Sequence, residues 1–404
     1  MKWCLLSLFL ILSPKSFSMG ITEISQIAIE RSSSLNAQEM EERALQSEAY
    51  LQGRWNNPQV LGQFGSLKSG TMTGSTVELS FTQPVPLSDK FSLQKEMALL
   101  AMENHKKQTE FFKQWVSHQA ILATWKVYVT SELLKHGTER TKRISLVKRY
   151  LETRPRVTIK QKVELSIITS MLYQLEKQQD MKRHDYVMAQ SDLEFWLGKS
   201  LAASEISFAL PDTYSLVEND SLDTSRNREL AQARSSLKIA QLGSELASKE
   251  KRPDLFLGGG YRVENVMPRN DFSYVIVGLH IPLWDTGASG VEAARARQFR
   301  DQKNLEETEK QLILKQQKQI ELVKLSVEQL KRFPKKQIRL NEQAITEAEK
   351  GFRQGLLDVN TFLLAETQSH EVIDQVFLSW LGYLEHLSSL QLMKGEEFQW
   401  EQKI

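Results

Sequence analysis

The chain has 404 residues, a formal net charge of +2 and a single cysteine, and 25% of its residues are charged. Lys, Arg, Asp and Glu intermingle throughout, which excludes the basic footprint of a nucleic-acid binder. The lone Cys4 excludes a disulfide framework and a cysteine metal site in the mature chain.

Lys2 followed by the apolar run Leu5 to Leu12 reads as a signal peptide, with Ser16 and Ser18 giving a small-x-small cleavage site. The run is too short to span a bilayer, and Pro14 and Lys15 interrupt it. Cys4 lies upstream of the run and would leave with the peptide, so it is no lipoprotein acceptor. No later run of 18 apolar residues occurs, so insertion of the mature chain into a membrane would require β-strands.

After the leader, Ile21 to Gly53 reads as helix. Asn57-Pro58 then opens a first β-hairpin, Gln59 to Leu67 and Ser75 to Val85, closed by Pro86-Leu87. Val77, Leu79 and Phe81 alternate with Thr76, Glu78, Ser80 and Thr82, giving one apolar and one polar face. Leu87 to Thr153 contains no proline and one glycine, Gly137, which predicts a helix about 100 Å long. Arg154-Pro155-Arg156 breaks it. A second helix is predicted from Val157 to Leu197, stopped by Gly198.

The pattern then repeats. Lys199 to Leu222 connects to a helix over Asp223 to Lys251. A second hairpin follows, Asp254 to Val263 and Phe272 to Ile281, closed by Pro282-Leu283. Pro58 and Pro253 are 195 positions apart, and Pro86 and Pro282 are 196 apart. Val275, Val277, Leu279 and Ile281 repeat the apolar phase. Asp285 to Phe352 is expected as a long helix, broken by Arg353-Gln354-Gly355, with Leu356 to Met393 returning. Pro334 sits at the position equivalent to Gly137, and both are read as sites of a bend or a tolerated kink.

The short return helices are completed by the segments that lead into each hairpin, giving four rods of about 70 residues, two continuous and two assembled from pieces. Rods this long with spaced apolar stripes call for lateral neighbours. Four strands cannot close a barrel alone, so both features point to an oligomer. The predicted organisation is a signal peptide over 1–18, a first repeat over 19–198, a connector over 199–222, a second repeat over 223–394 and a tail over 395–404.

Asn57-Pro58, Gln83-Pro84-Val85-Pro86-Leu87, Arg252-Pro253-Asp254-Leu255, the run Tyr274 to Gly287 (YVIVGLHIPLWDTG) and Phe352 to Asp358 (FRQGLLD) occur in an order and duplication that resemble the TolC-like outer-membrane factor family. The resemblance covers Ile21 to Met393. It implies a mainly α fold, a long antiparallel α-helical barrel with four β-strands per chain that complete a trimeric twelve-stranded outer-membrane β-barrel. It also implies passive conduction from an inner-membrane RND or ABC transporter and a periplasmic adaptor (membrane fusion protein) to the exterior, with the tunnel extending into the periplasm. Val77, Leu79, Phe81, Val275, Val277, Leu279 and Ile281 would face outer-membrane lipid. Pro86, Pro282 and Trp284 would mark the strand–helix junctions, and 199–222 an equatorial collar.

The tips, Arg154, Pro155, Arg156, Arg353, Gly355, Leu356, Leu357 and Asp358, are the docking candidates, with a simple turn role for Gly355 as the competing reading. The chain departs from the family pattern in having no glycine in the first tip. It also has Thr361 and Leu364 where acidic gating residues are usual, leaving Asp358 as the nearest acid. No catalytic residue, cofactor or metal site is expected. Gly258-Gly259-Gly260 lies within a strand with no following helix or Lys, so it is read as close strand packing or a barrel bend rather than a phosphate loop. The alternative function is an exported periplasmic coiled-coil scaffold or adaptor without a pore.

Overall fold

The computed structural model describes residues 19–69, 72–153, 158–206, 209–214, 227–265, 267, 269–280 and 287–400. The expected signal peptide lies outside the described residues, as do Arg154, Pro155, Arg156, Ile281, Pro282, Trp284 and part of the 199–222 connector.

In chain order the elements are α1 (Ile21–Arg31), α2 (Ser33–Gln52), β1 (Gln59–Ser69), β2 (Met72–Val85), α3 (Lys90–Glu152), α4 (Ile159–Leu197), α5 (Arg228–Glu250), β3 (Asp254–Asn265), β4 (Asn270–His280), α6 (Ala288–Arg332), α7 (Lys336–Arg353) and α8 (Val359–Lys394). The helix–hairpin–helix pattern therefore occurs twice. The chain divides into two compact units. One comprises Met1–Ser33, Phe112–Ser221 and Gln316–Ile404; the other comprises Ser34–Phe111 and Leu222–Lys315.

The second unit holds one antiparallel sheet in the order β1-β2-β3-β4, so the two hairpins join through β2 and β3. Register places Val60 opposite Phe81 and Phe64 opposite Val77, then Val77 opposite Val263 and Leu257 opposite Val277. One face therefore carries these apolar side chains. Val77, Leu79, Phe81, Val275, Val277 and Leu279 are all exposed on it, in the phase the sequence predicts. The opposite face is mixed: it carries Thr76, Glu78, Ser80, Arg262 and Glu264 beside Leu61, Phe256, Phe272 and Ile276, and Arg262 Nη2 lies 3.1 Å from Glu264 Oε1. Tyr274 donates to Glu78 across the sheet. On this face a Cβ on Gly260 would fall 2.3 Å from the Tyr274 ring, and one on Gly278 would fall 2.1 Å from the Phe256 ring. These glycines make room for aromatic rings on the neighbouring strand, which answers the triple-glycine question in favour of close packing.

In the same unit the first turns of α3 sit against the ends of α2 and α5. Lys249 Nζ pairs with Asp89 Oδ2 at 2.5 Å, Lys90 pairs with Asp254, and the Arg228 guanidinium lies 5.1 Å from the Phe111 ring centroid.

Among its described residues the first unit packs two cores. The larger packs Trp125, Val129, Val323, Ile373, Phe377, Trp380 and Tyr383 from α3, α6 and α8. The smaller gathers Ile144, Leu151, Ile168, Phe352, Val359 and Phe362 around the ends of α3 and α7 and the starts of α4 and α8.

Two expectations need correction here. The predicted helix over Asp285 to Phe352 is not continuous: α6 ends at Arg332 and α7 begins at Lys336. Pro334 has no N–H to continue the ladder and its ring excludes the preceding carbonyl. Lys335 Nζ secures the break by donating to Leu210 O (2.6 Å) and Asp212 Oδ1 (2.7 Å) of the connector. Gly137, read as equivalent to Pro334, leaves α3 helical throughout. Its missing side chain serves packing instead, because a Cβ there would fall 2.5 Å from Gln179 Oε1 on α4. Gln179 Nε2 in turn donates to Leu134 O at 3.3 Å and to Thr138 Oγ1.

Candidate functional site

The described part of the helical tips lies in the first unit. The α7–α8 turn is set by local hydrogen bonding. Gly355 N donates to Phe352 O (3.0 Å) and Leu356 N to Gly351 O (2.9 Å), the pair of bonds of a Schellman motif. Gly355 has φ +74°, and a Cβ there would meet nothing within 4 Å. The requirement for glycine is thus conformational rather than steric. Gly355→Ala should cost about 1–2 kcal/mol from the left-handed backbone alone, read as a lower thermal midpoint of the purified protein.

Asp358 caps α8: its Oδ1 accepts from Thr361 N at 2.7 Å. That backbone hydrogen bond holds the carboxyl below its usual range. Leu357 folds back onto Gly351, within 3.2 Å of where a Cβ would stand. Leu356 points away and is 75% exposed. Across the first tip, Thr158 opens α4 with a capping box, accepting from Gln161 N (3.2 Å) while its own N–H donates to Gln161 Oε1 (2.9 Å).

Behind the tip, Phe352 links the helices. It stacks on Phe362 at 5.3 Å and meets Tyr150 edge-on at 5.7 Å. A cavity of about 450 Å³ opens beside it, lined by Leu146, Arg149, Tyr150, Thr153, Phe352 and Arg353. A second groove, of about 710 Å³, runs between α4 and α8; Ser166, Ser170, Gln174 and Gln178 form its α4 wall, and Leu364, Thr367 and Glu371 lie on α8.

Inside the tip lies a charge relay that sequence reasoning missed. Arg353 Nη2 donates to Glu349 Oε1 at 2.6 Å, and Glu349 Oε2 lies 3.3 Å from Arg143 Nε. Arg143 Nη1 is 3.8 Å from Oε1 of Glu366, which is fully buried. Arg140 Nε donates to Glu366 Oε2 at 3.0 Å, and Arg140 Nη2 donates to Thr367 Oγ1 at 2.9 Å. His370 Nε2 also lies 3.0 Å from Glu366 Oε1, yet that oxygen accepts no aligned hydrogen bond. Arg140 is therefore the acid's principal partner. The relay joins α3, α7 and α8. Its visible traces in the sequence are the i,i+3 arginines 140 and 143 and the i,i+4 pair Glu366 and His370; nothing local shows that they meet.

The structure thus brings Arg353, Gly355, Leu356, Leu357 and Asp358 together at one turn. Arg154, Pro155 and Arg156 lie outside the described residues. Pro86 is described and directly follows β2, between the sheet and α3. Among the described residues no cluster of three His, Cys, Asp or Glu is arranged to hold a metal ion, and no helix is long and apolar enough to cross a membrane.

The sequence matches no protein-family model and no curated protein. Solved structures, in contrast, are similar over nearly the whole chain. The open state of the Neisseria gonorrhoeae MtrE outer membrane channel matches with a TM-score of 0.79 at 13% identity, covering 94% of this chain and 89% of that one. CusC, studied for conformational changes accompanying folding and transmembrane channel formation, matches at 0.76 and 12% identity, covering 96% of both chains. The outer membrane protein VceC of Vibrio cholerae matches at 0.73 and 13% identity, covering 94% and 97%. At these identities the likeness establishes the fold.

Proposed function

We propose that this chain, whose fold is that of the TolC-like outer-membrane factors, is one subunit of an outer-membrane exit duct. The observation that carries the proposal is the four-stranded sheet with an exposed apolar face, a reverse face that holds the sheet's ion pair between Arg262 and Glu264, and two unpaired edge strands, β1 and β4. Taken three times, four strands make twelve, enough to close a barrel and remove every edge. The apolar face then meets outer-membrane lipid, and Thr76, Glu78, Arg262 and Glu264 line a water-filled lumen. The helices form a tunnel into the periplasm, with the exposed stripes of neighbouring copies packed together. We read 1–18 as a signal peptide, 19–198 and 223–394 as structural repeats, 199–222 as the equatorial connector and 395–404 as a tail.

Conduction is passive and requires no chemistry from the chain. Cargo arrives from an inner-membrane RND or ABC transporter through a periplasmic adaptor. The adaptor meets the tips, where Leu356 and Arg353 are presented beside Gly355 and the first tip supplies Arg154, Pro155 and Arg156. The neighbouring structures support this reading because those described as outer membrane channels share the fold.

The test is direct. Purified from outer membranes, the protein should run as a trimer in native mass spectrometry and form water-filled pores in planar bilayers. A monomer recovered from the periplasmic fraction without detergent would instead favour a scaffold without a pore. Gly355→Trp should lower export below that of Gly355→Ala, which carries the same left-handed backbone strain, while leaving the trimer intact, because space around the Cβ is open in the chain and would be filled only by a docked partner. Unchanged export would remove the docking role from this tip.

A further inference from the structure

The helix-side rim of the sheet carries charge that the duct reading does not use. Register puts Gln59 opposite Thr82, Val85 opposite Leu255 and Asp254 opposite His280, so the helix-joined ends of all four strands share one rim. Three described segments meet there: 53–58 after α2, 86–90 before α3 and 249–254 at the α5–β3 junction. Segment 53–58 is tied to the β2 end and to α3, and segment 249–254 to segment 86–90: Gln83 Nε2 donates to Asn56 O at 2.8 Å. A Cβ on Gly53 would fall 2.7 Å from Lys95 Cδ on α3, and Lys249 reaches Asp89.

These segments hold eight charged residues. Lys90 pairs with Asp254 and Lys249 with Asp89. Arg54, Lys251 and Arg252 are exposed and form no ion pair among the described residues, against one similarly free acid, Glu250. Trp55, next to Arg54, is 59% exposed. Immediately above lies the apolar face, at Val60, Phe81, Leu257 and Leu279. The hairpin-loop rim is less densely charged: Arg269 is paired with Asp271 at 3.1 Å, and Lys68 is its one exposed cation outside an ion pair among the described residues.

An apolar band ending in an exposed indole and then in exposed cations has the profile of a bilayer boundary carrying anionic headgroups. We propose that Arg54, Lys251 and Arg252 form a binding belt for anionic phospholipid on the helix side of the sheet, with Trp55 seated at the headgroup level. The proposal rests on the outer-membrane reading above. It names the lipid phosphate rather than a free anion, because the cations continue the apolar face and a headgroup is tethered there by its acyl chains. Closure into a trimer would repeat the belt three times around the barrel.

The test uses the full-length trimer incubated with phosphatidylcholine vesicles with and without phosphatidylglycerol, and compares it with the R54Q/K251Q/R252Q variant. Lys331→Gln, a cation of the other unit, serves as the control, and all variants are checked for trimer mass and helix content. The wild type should associate with both vesicles and prefer those with phosphatidylglycerol. Each neutralised cation should lower that preference about fivefold, the equivalent of about 1 kcal/mol, and the control should not. Equal association with both vesicles, or an undiminished preference in the triple variant, would overturn the belt while leaving membrane insertion intact. Association with neither vesicle would remove the membrane reading and the belt together. Loss of the preference on adding inorganic phosphate, at constant ionic strength, would show a site for free anions and would also overturn the proposal.

Discussion

Glu366→Ala is expected to destabilise the helical unit by about 3–5 kcal/mol. Glu366 has no exposed surface, and its Oε2 accepts from Arg140 Nε at 3.0 Å. The Arg140 side chain is itself only 12% exposed. Truncating the acid leaves this guanidinium desolvated with Thr367 Oγ1 as its remaining close acceptor. Arg143 suffers less, because Glu349 stays 3.3 Å away. The asymmetry gives the prediction a control: the double variant Glu366→Leu with Arg140→Met removes both charges and should recover most of the loss, since an apolar pair of similar volume avoids both desolvation costs. Urea midpoints followed by helical circular dichroism on the detergent-solubilised protein report both effects. A single variant within about 1 kcal/mol of wild type would show that water reaches Arg140, and would refute the relay as a dry contact.

The relay also bears on how the tips work. It ties α3 of the first hairpin to α7 and α8 of the second, within a few turns of Gly355. Any motion that separates these helices must break a buried ion pair. In the double variant that restraint is gone while packing remains. If the tips move during conduction, this variant should show more open-channel time in planar bilayers.

The organisation of the chain was legible because its signals are local. Period-two alternation at Val77, Leu79 and Phe81, and again at Val275, Val277 and Leu279, sets the sheet phase through the pleat itself, and the faces emerge as predicted. Gly198 and Gly355 stop helices through a backbone conformation that glycine alone adopts cheaply. The equation of Gly137 with Pro334 failed for an equally local reason: glycine keeps its N–H and proline does not. A glycine within a helix therefore states only that something comes close, which here is Gln179. The Glu366 relay was illegible because its partners are 226 positions apart and each looks like an ordinary solvated charge in its own window. Thr361 and Leu364 stand where the resemblance places gating acids, and the acid only two residues beyond Leu364 is the buried one. Burial, the property that distinguishes Glu366, is decided by packing between helices and not by its neighbours in sequence. The histidines, scattered singly along the chain, were opaque in the same way.

One of them makes stability depend on pH. His118 is 1% exposed, and burial foremost lowers its pKa to about 4. Its Nε2 lies 3.1 Å from Glu396 O, and a carbonyl only accepts, so Nε2 carries the proton and Nδ1 accepts from Ser388 Oγ at 2.9 Å. The ring thereby pins the segment after α8 to α3, with Phe398 at 5.2 Å and Trp400 packed on Trp125 at 5.9 Å. In the unfolded chain the same imidazole titrates near 6.5. Between pH 6.5 and about 4 the unfolded state binds the extra proton and the folded state does not, so stability falls as pH falls through this window. Above pH 6.5 both states are neutral and the group contributes no slope. Below about 4 both are charged and the loss levels off near 3 kcal/mol in total. His136 is also lowered by burial and adds a slope of the same sign. The measurement therefore compares His118→Gln with wild type between pH 6.5 and 5, above most carboxylate titration. Wild type should lose about 1.5 kcal/mol more than the variant over that interval, together with an earlier rise in Trp400 exposure to a fluorescence quencher. Parallel pH profiles would mean that water already reaches the ring. The anchoring of the chain after Gly395 would then rest on Phe398 and Trp400 packing, and on Gln391, whose Nε2 donates to Gln399 O at 2.7 Å.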